Sequence, residues 1–197
     1  MTPQERLNYV LTEGKLRGFA PFGAQTPVLC FSESPPDHLA HLIADKGFAP
    51  WGIVTTRSRI LTAGGGAVAY LPRSVAESFP TSQRHWVVSV QTDGVNREDW
   101  MHEREWRIPA SGQDDISNFR YHTPGAVPGI LVGSPDWEPG RVASETQTNH
   151  ATGERYPSGD LVLPEAWLTA ERWVWDADTR KIQRLEPLKE SVAPSLP

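Results

Sequence analysis

Apolar residues near the start of the chain recur at helical spacing. Leu7, Val10 and Leu11 share one face, and Gly14 supplies a stop. Ahead of them, Thr2-Pro3-Gln4-Glu5 reads as a capping box, with Pro3 at the first helical position. Val28-Leu29-Cys30-Phe31 is a short apolar run and predicts a buried strand. Ser34, followed by Pro35, Pro36 and Asp37, opens a second helix that turns Leu39, Leu42 and Ile43 inward and ends at Gly47. Residues 51–55 read as a strand and 57–62 as one or two helical turns. Three glycines, Gly64 to Gly66, then break the chain before a strand over 67–71. Residues 85–90, rich in β-branched and aromatic side chains, predict another strand. With the polar turn at 93–96 they predict a long-looped hairpin whose second strand covers 103–109. A strand follows at 129–133, then a polar surface loop from 138 to 160. A terminal hairpin, 173–175 with 181–185, turns through Asp176-Ala177-Asp178-Thr179 and places Trp173 and Trp175 on one face.

Helices cluster early and strands dominate after Trp51, so the expected class is α+β: a mostly antiparallel sheet with short helices near the N-terminus. One domain over residues 1–190 is expected, with a frayed tail at 191–197. The 197 residues are 38% hydrophobic and 22% charged, enough apolar side chain for an ordinary core. No run spans a bilayer and no signal-peptide pattern precedes Leu7. A lone cysteine, Cys30, has no internal disulfide partner, which points to a reducing cytoplasm. The net charge of −5 argues against general nucleic-acid affinity while leaving room for a local basic groove.

The densest chemistry lies in Trp100 to Arg107. As a strand, the segment would put Glu103, Glu105 and Arg107 on one face and Arg104, Trp106 and Ile108 on the other. Its two carboxylates would stand about 6.5–7 Å apart. One could then orient a nucleophile while the other steadies an oxocarbenium charge. The same pattern also occurs on solvated strand faces, where Glu and Arg neutralise their cross-strand neighbours. A nuclease using Glu103, Glu105 and a divalent ion is a weaker reading, since Asp and His partners are lacking. Trp106 stands where a zinc motif would need its second histidine, and His38 and His41 lack further ligands, so no metal is expected. Arg57 and Arg59, just past a strand, are candidates to grip a phosphate or pyrophosphate. Ser32 emerges at a strand end where it could bond a ligand, Ser34 serves as the helix cap, and Cys30 reads as a buried small hydrophobe.

The order of these pieces resembles the abortive phage-infection proteins of the AbiGi type. The matching pieces are residues 7–16, 27–34, Trp51-Gly52-Ile53 with Arg57, 67–70, and above all Glu103-Arg104-Glu105-Trp106-Arg107. More distantly it resembles the ADP-ribosyltransferase fold, one class of which carries its catalytic glutamate inside Glu-x-Glu. That resemblance implies a phage-defence or toxin–antitoxin-type protein that uses NAD as a substrate. Glu105 would contact the nicotinamide ribose and Glu103 would orient the acceptor. Ser32 would brace the NAD site, with Arg57 and Trp51 as further contacts. Members of that fold place a histidine or arginine on a strand ahead of the first helix. Here the helix cap is Thr2, and the only nearby substitute, Arg17, lies after the helix, so the expectation is either an upstream start or an absent NAD-gripping residue. The alternative is a non-enzymatic module of the same fold, an antitoxin or defence partner that binds protein through a tryptophan-rich surface.

Overall fold

The computed structural model describes residues 1–21, 24–90, 101–110 and 127–189. In chain order the first elements are α1 (Pro3–Glu13), β1 (Val28–Ser32), α2 (Pro36–Lys46), β2 (Gly52–Val54) and α3 (Arg57–Thr62). Next come β3 (Gly66–Ala67), β4 (Ala69–Pro72), α4 (Arg73–Ala76), a 3-10 turn (Thr81–Trp86) and β5 (Val87–Val90). A second 3-10 turn (Met101–Glu103) leads to β6 (Glu105–Pro109), β7 (Gly129–Val132), β8 (Val142–Thr148) and β9 (Arg155–Val162). The series closes with α5 (Glu165–Thr169), β10 (Glu171–Asp176) and β11 (Lys181–Leu185). Five of the strand pairings are antiparallel and two parallel, so the α+β class with mostly antiparallel sheet holds. Among the described residues no helix is long and apolar enough to cross a membrane.

The sequence predicts one domain over residues 1–190; the chain contacts group into two units. The first comprises Met1–Gly14, Gly47–Val54 and Tyr121–Pro197. It holds α1 and a sheet ordered β11-β10-β7-β2. The capping box of α1 forms on both sides: the Glu5 N–H donates to Thr2 Oγ1 at 3.2 Å and the Thr2 N–H to Glu5 Oε2 at 2.6 Å. Gly14 ends the helix at φ 71°, a left-handed cap that costs glycine no steric clash. Leu7 and Leu11 are buried, as are all four residues of β7. Trp167 and Ala170 of the α5 segment complete this core. Trp173 and Trp175, two apart on β10, share one face, with the Arg184 guanidinium 5.2 Å from the Trp173 ring.

The second unit comprises Lys15–Lys46 and Thr55–Arg120. It holds the three-stranded sheet β1-β6-β3 and the parallel pair β4-β5. Val28, Leu42 and Ile108 are fully buried there, each worth about 1.5–3 kcal/mol of transfer free energy.

Four expectations are corrected. The 85–90 and 103–109 segments do not form a hairpin: β5 pairs with β4, while β6 lies between β1 and β3. The expected strand at 67–71 splits at buried Val68 into β3 and β4, which serve different sheets. The polar stretch 138–160 is not simply loop but carries the β8–β9 hairpin, exposed on both faces. Its pairing is backbone-driven, so no apolar alternation marks it. Ser34 does not cap α2; its hydroxyl meets that of Ser32 at 2.8 Å. The 93–96 turn, Trp100 and the 191–197 tail lie outside the described residues.

Candidate functional site

β1 and β6 pair antiparallel, with Cys30 opposite Arg107 and Ser32 opposite Glu105. Residues directly opposed in such a pair share a face. Cys30, Ser32, Glu105 and Arg107 therefore crowd one side of the sheet, and Leu29, Phe31, Trp106 and Ile108 take the other. Arg107 grips Glu105 bidentately: Nε reaches Oε1 at 2.8 Å and Nη2 reaches Oε2 at 2.9 Å. Its remaining terminal nitrogen donates to the His85 carbonyl at 2.7 Å and to that of Val87 at 3.4 Å. Both side chains are nearly sealed, at 5% exposure for Arg107 and 11% for Glu105. The Glu105 N–H donates to the Tyr70 hydroxyl at 2.6 Å, so backbone and carboxylate are both pinned.

Glu103 differs. It closes the 3-10 turn instead of sitting on the strand, so the period-two spacing of Glu103 and Glu105 does not apply. The reason is local: Arg104 adopts φ 47°, a left-handed conformation uncommon for a non-glycine residue, and reorients the chain before β6. Glu103 still lies within the electrostatic reach of Glu105. Desolvation, and then the Glu105 charge, raise its carboxyl above the ordinary glutamate value. The Ser32 hydroxyl donates to the Glu103 carbonyl at 2.5 Å, tying the turn to the end of β1. Tyr70 is also raised, first by desolvation and further by the charges of Glu105 and Glu103.

Comparison of the chain with family models, curated proteins and solved structures returned no match in any of the three.

Cys30, expected as a buried hydrophobe, is exposed as a residue and stands on the Glu105 face. Desolvation, a hydrogen bond to Glu105 and the Glu105 charge push its thiol up to about 12. That leaves it protonated and a poor nucleophile at neutral pH. Glu33, immediately after Ser32, gathers a second group of residues. Its Oε1 accepts from Arg57 at 2.7 Å and Arg104 at 3.4 Å, and its Oε2 accepts from Trp106 Nε1 at 2.9 Å. His38 and His41 stack with centroids 6.4 Å apart, and His41 Nδ1 lies 2.7 Å from Asp45. Among the described residues no group of three or more His, Cys, Asp or Glu side chains is placed to hold a metal ion.

Of the residues singled out in the sequence, Ser32, Glu103 and Glu105 come together. Arg57 belongs to the same unit through Glu33, whereas Trp51 belongs to the first unit, edge-on to Trp137 at 5.3 Å. Trp106 and Ile108 pack as anticipated, but Arg104 is half-exposed and ion-paired. Tyr70, Glu33 and the restraint imposed by Arg107 were missed. Tyr70 could have been flagged as the polar-tipped aromatic of an otherwise small strand, and Glu33 as the carboxylate beside Ser32.

Proposed function

We propose that the second unit carries a site for glycosyl transfer from a nicotinamide dinucleotide, within a phage-defence or toxin–antitoxin-type effector. The observation that carries this reading is Glu103. It is a half-buried carboxylate of raised pKa, beside a second carboxylate held rigid by Arg107 and a turn braced by Ser32. In such a reaction the ribose–nicotinamide C–N bond breaks and nicotinamide leaves with the electron pair. The acceptor oxygen or nitrogen bonds the ribose carbon, and its proton passes to Glu103. A raised carboxyl pKa suits that proton transfer. Glu105, its charge compensated by Arg107 and its backbone pinned by Tyr70, is the fixed anchor of the strand beside which Glu103 works. The roles expected from the resemblance are thereby sharpened: Glu105 anchors, and Glu103 handles the proton. A specific test is thermal unfolding with and without NAD. Binding should raise the midpoint by the mass-action term, and an unchanged midpoint at millimolar NAD contradicts the reading.

One observation favours a second reading, a non-enzymatic antitoxin or defence partner. The bidentate Glu105–Arg107 pair is buried and saturated, as a purely structural bridge would be. Under that reading Glu103→Gln leaves the protein's cellular effect unchanged, whereas under transfer chemistry it abolishes the effect.

A further inference from the structure

Arg57 and Arg104 come from separate elements, the first turn of α3 and the left-handed residue before β6, yet both donate to one oxygen of Glu33. Their bonded nitrogens lie no farther apart than the sum of those two short distances. Ordinarily two guanidinium groups repel at that separation. One carboxylate neutralises only one of them, so the group keeps a net positive charge in a chain whose net charge is −5. Glu33 is itself fixed by Trp106 on its other oxygen, which makes it a bracket for the arginines more than a free counter-ion. Each guanidinium has five N–H donors and spends one nitrogen on Glu33, leaving donors turned to solvent at 68% and 50% exposure. Desolvation, and then the Arg104 charge, hold the His38 imidazole below its ordinary value. The backbone cost of a left-handed arginine is incurred at the residue that brings the second fork to Glu33.

We infer that Arg57 and Arg104, bracketed by Glu33, form an anion subsite that takes a pyrophosphate group. Two planar forks on one bracket match two adjacent phosphoryl groups better than a single carboxylate, which one fork alone would satisfy. The subsite extends the nucleotide reading and rests on it for the identity of the whole substrate; Glu33 and Arg104 directly follow Ser32 and Glu103 in sequence.

The test is calorimetric titration of the full chain with inorganic pyrophosphate at low ionic strength. Saturable one-to-one binding is expected, weakening as salt rises. Arg57→Gln and Arg104→Gln should each lower the affinity by about tenfold, the loss expected for a hydrogen bond to a charged group. Arg104→Lys should fall between, since it keeps charge but not the fork. Arg155→Gln, on the exposed β8–β9 hairpin, should change nothing. Circular-dichroism melting of each variant separates lost contacts from lost fold. No saturable binding, or an equal loss in Arg155→Gln, overturns the subsite. Pyrophosphate binding without nicotinamide release from NAD would keep the subsite and sink the nucleotide reading. Nicotinamide release without pyrophosphate binding would do the reverse.

Discussion

Two carboxylates within the second unit meet arginine in opposite ways. Glu105 gives both oxygens to Arg107, and both side chains are out of water. Glu33 gives one oxygen to two arginines that remain largely exposed. In the first pair the charges compensate each other and have nothing to spare; in the second, positive charge is left over and faces solvent. A closed pair sets geometry, and an open one can exchange partners with a ligand. The buried pair is therefore built as scaffold, and the exposed group is the one proposed for recognition, although both involve a Glu and an Arg close together in sequence or space.

Breaking the closed pair should have the largest effect. Arg107→Met leaves Glu105 buried and unpaired and should cost about 3–5 kcal/mol in urea unfolding. Pairing it with Glu105→Leu should restore most of that loss, because replacing both charges removes the stranded one. If the single variant is as stable as the parent, the pair is not closed. Next comes the packing that seals it. A Cβ on Gly65 would lie 2.6 Å from Ile60 Cγ2 and 2.7 Å from both the Arg107 carbonyl and Ile108 Cγ1. Gly65→Ala should therefore cost about 1–3 kcal/mol by overpacking. The open group should respond far less. Glu33→Ala should cost about 1 kcal/mol, since its arginine partners are exposed and solvent-screened and only the part-buried Trp106 N–H loses its acceptor.

The pH dependence sharpens the same contrast. Because Glu103 has its folded pKa raised, the folded state holds that proton more tightly than the unfolded one. Its contribution is present at low pH and is lost as pH rises above the ordinary glutamate value of 4.5 and through the raised one. The difference in stability between wild type and Glu103→Gln should therefore shift in favour of the variant over that window; a difference independent of pH would contradict the burial of the carboxyl. Cys30 reports on Glu105 from the other strand. With its thiol at about 12, it should react with iodoacetamide at pH 8 about a hundredfold or more slowly than a free thiol.

Much of the frame was readable from local chemistry. The capping box and Gly14 delimit α1, the apolar run marks β1, and Asp176 to Thr179 turns between β10 and β11 with Asp176 accepting both the Asp178 and Thr179 N–H groups. Arg107 was placed on the Glu105 face by alternation alone, and the register bears that out. The position of Glu103 was not legible, because no sequence signal announces a left-handed arginine at 104. Tyr70 meets Glu105 across 35 positions, and Arg104 meets Glu33 across 71. Those contacts come from tertiary pairing, to which a periodicity along the chain is blind. The β8–β9 hairpin escaped for a different reason: being wet on both faces, it leaves no hydrophobic period to read.

The division of labour between a fixed Glu105 and a proton-handling Glu103 is tested most directly by nicotinamide release from NAD, followed by chromatography, for wild type and Glu103→Gln. The account predicts release by the wild type and none by a variant that melts normally. Release by Glu103→Gln at the wild-type rate, or none from the wild type with any acceptor offered, would contradict it.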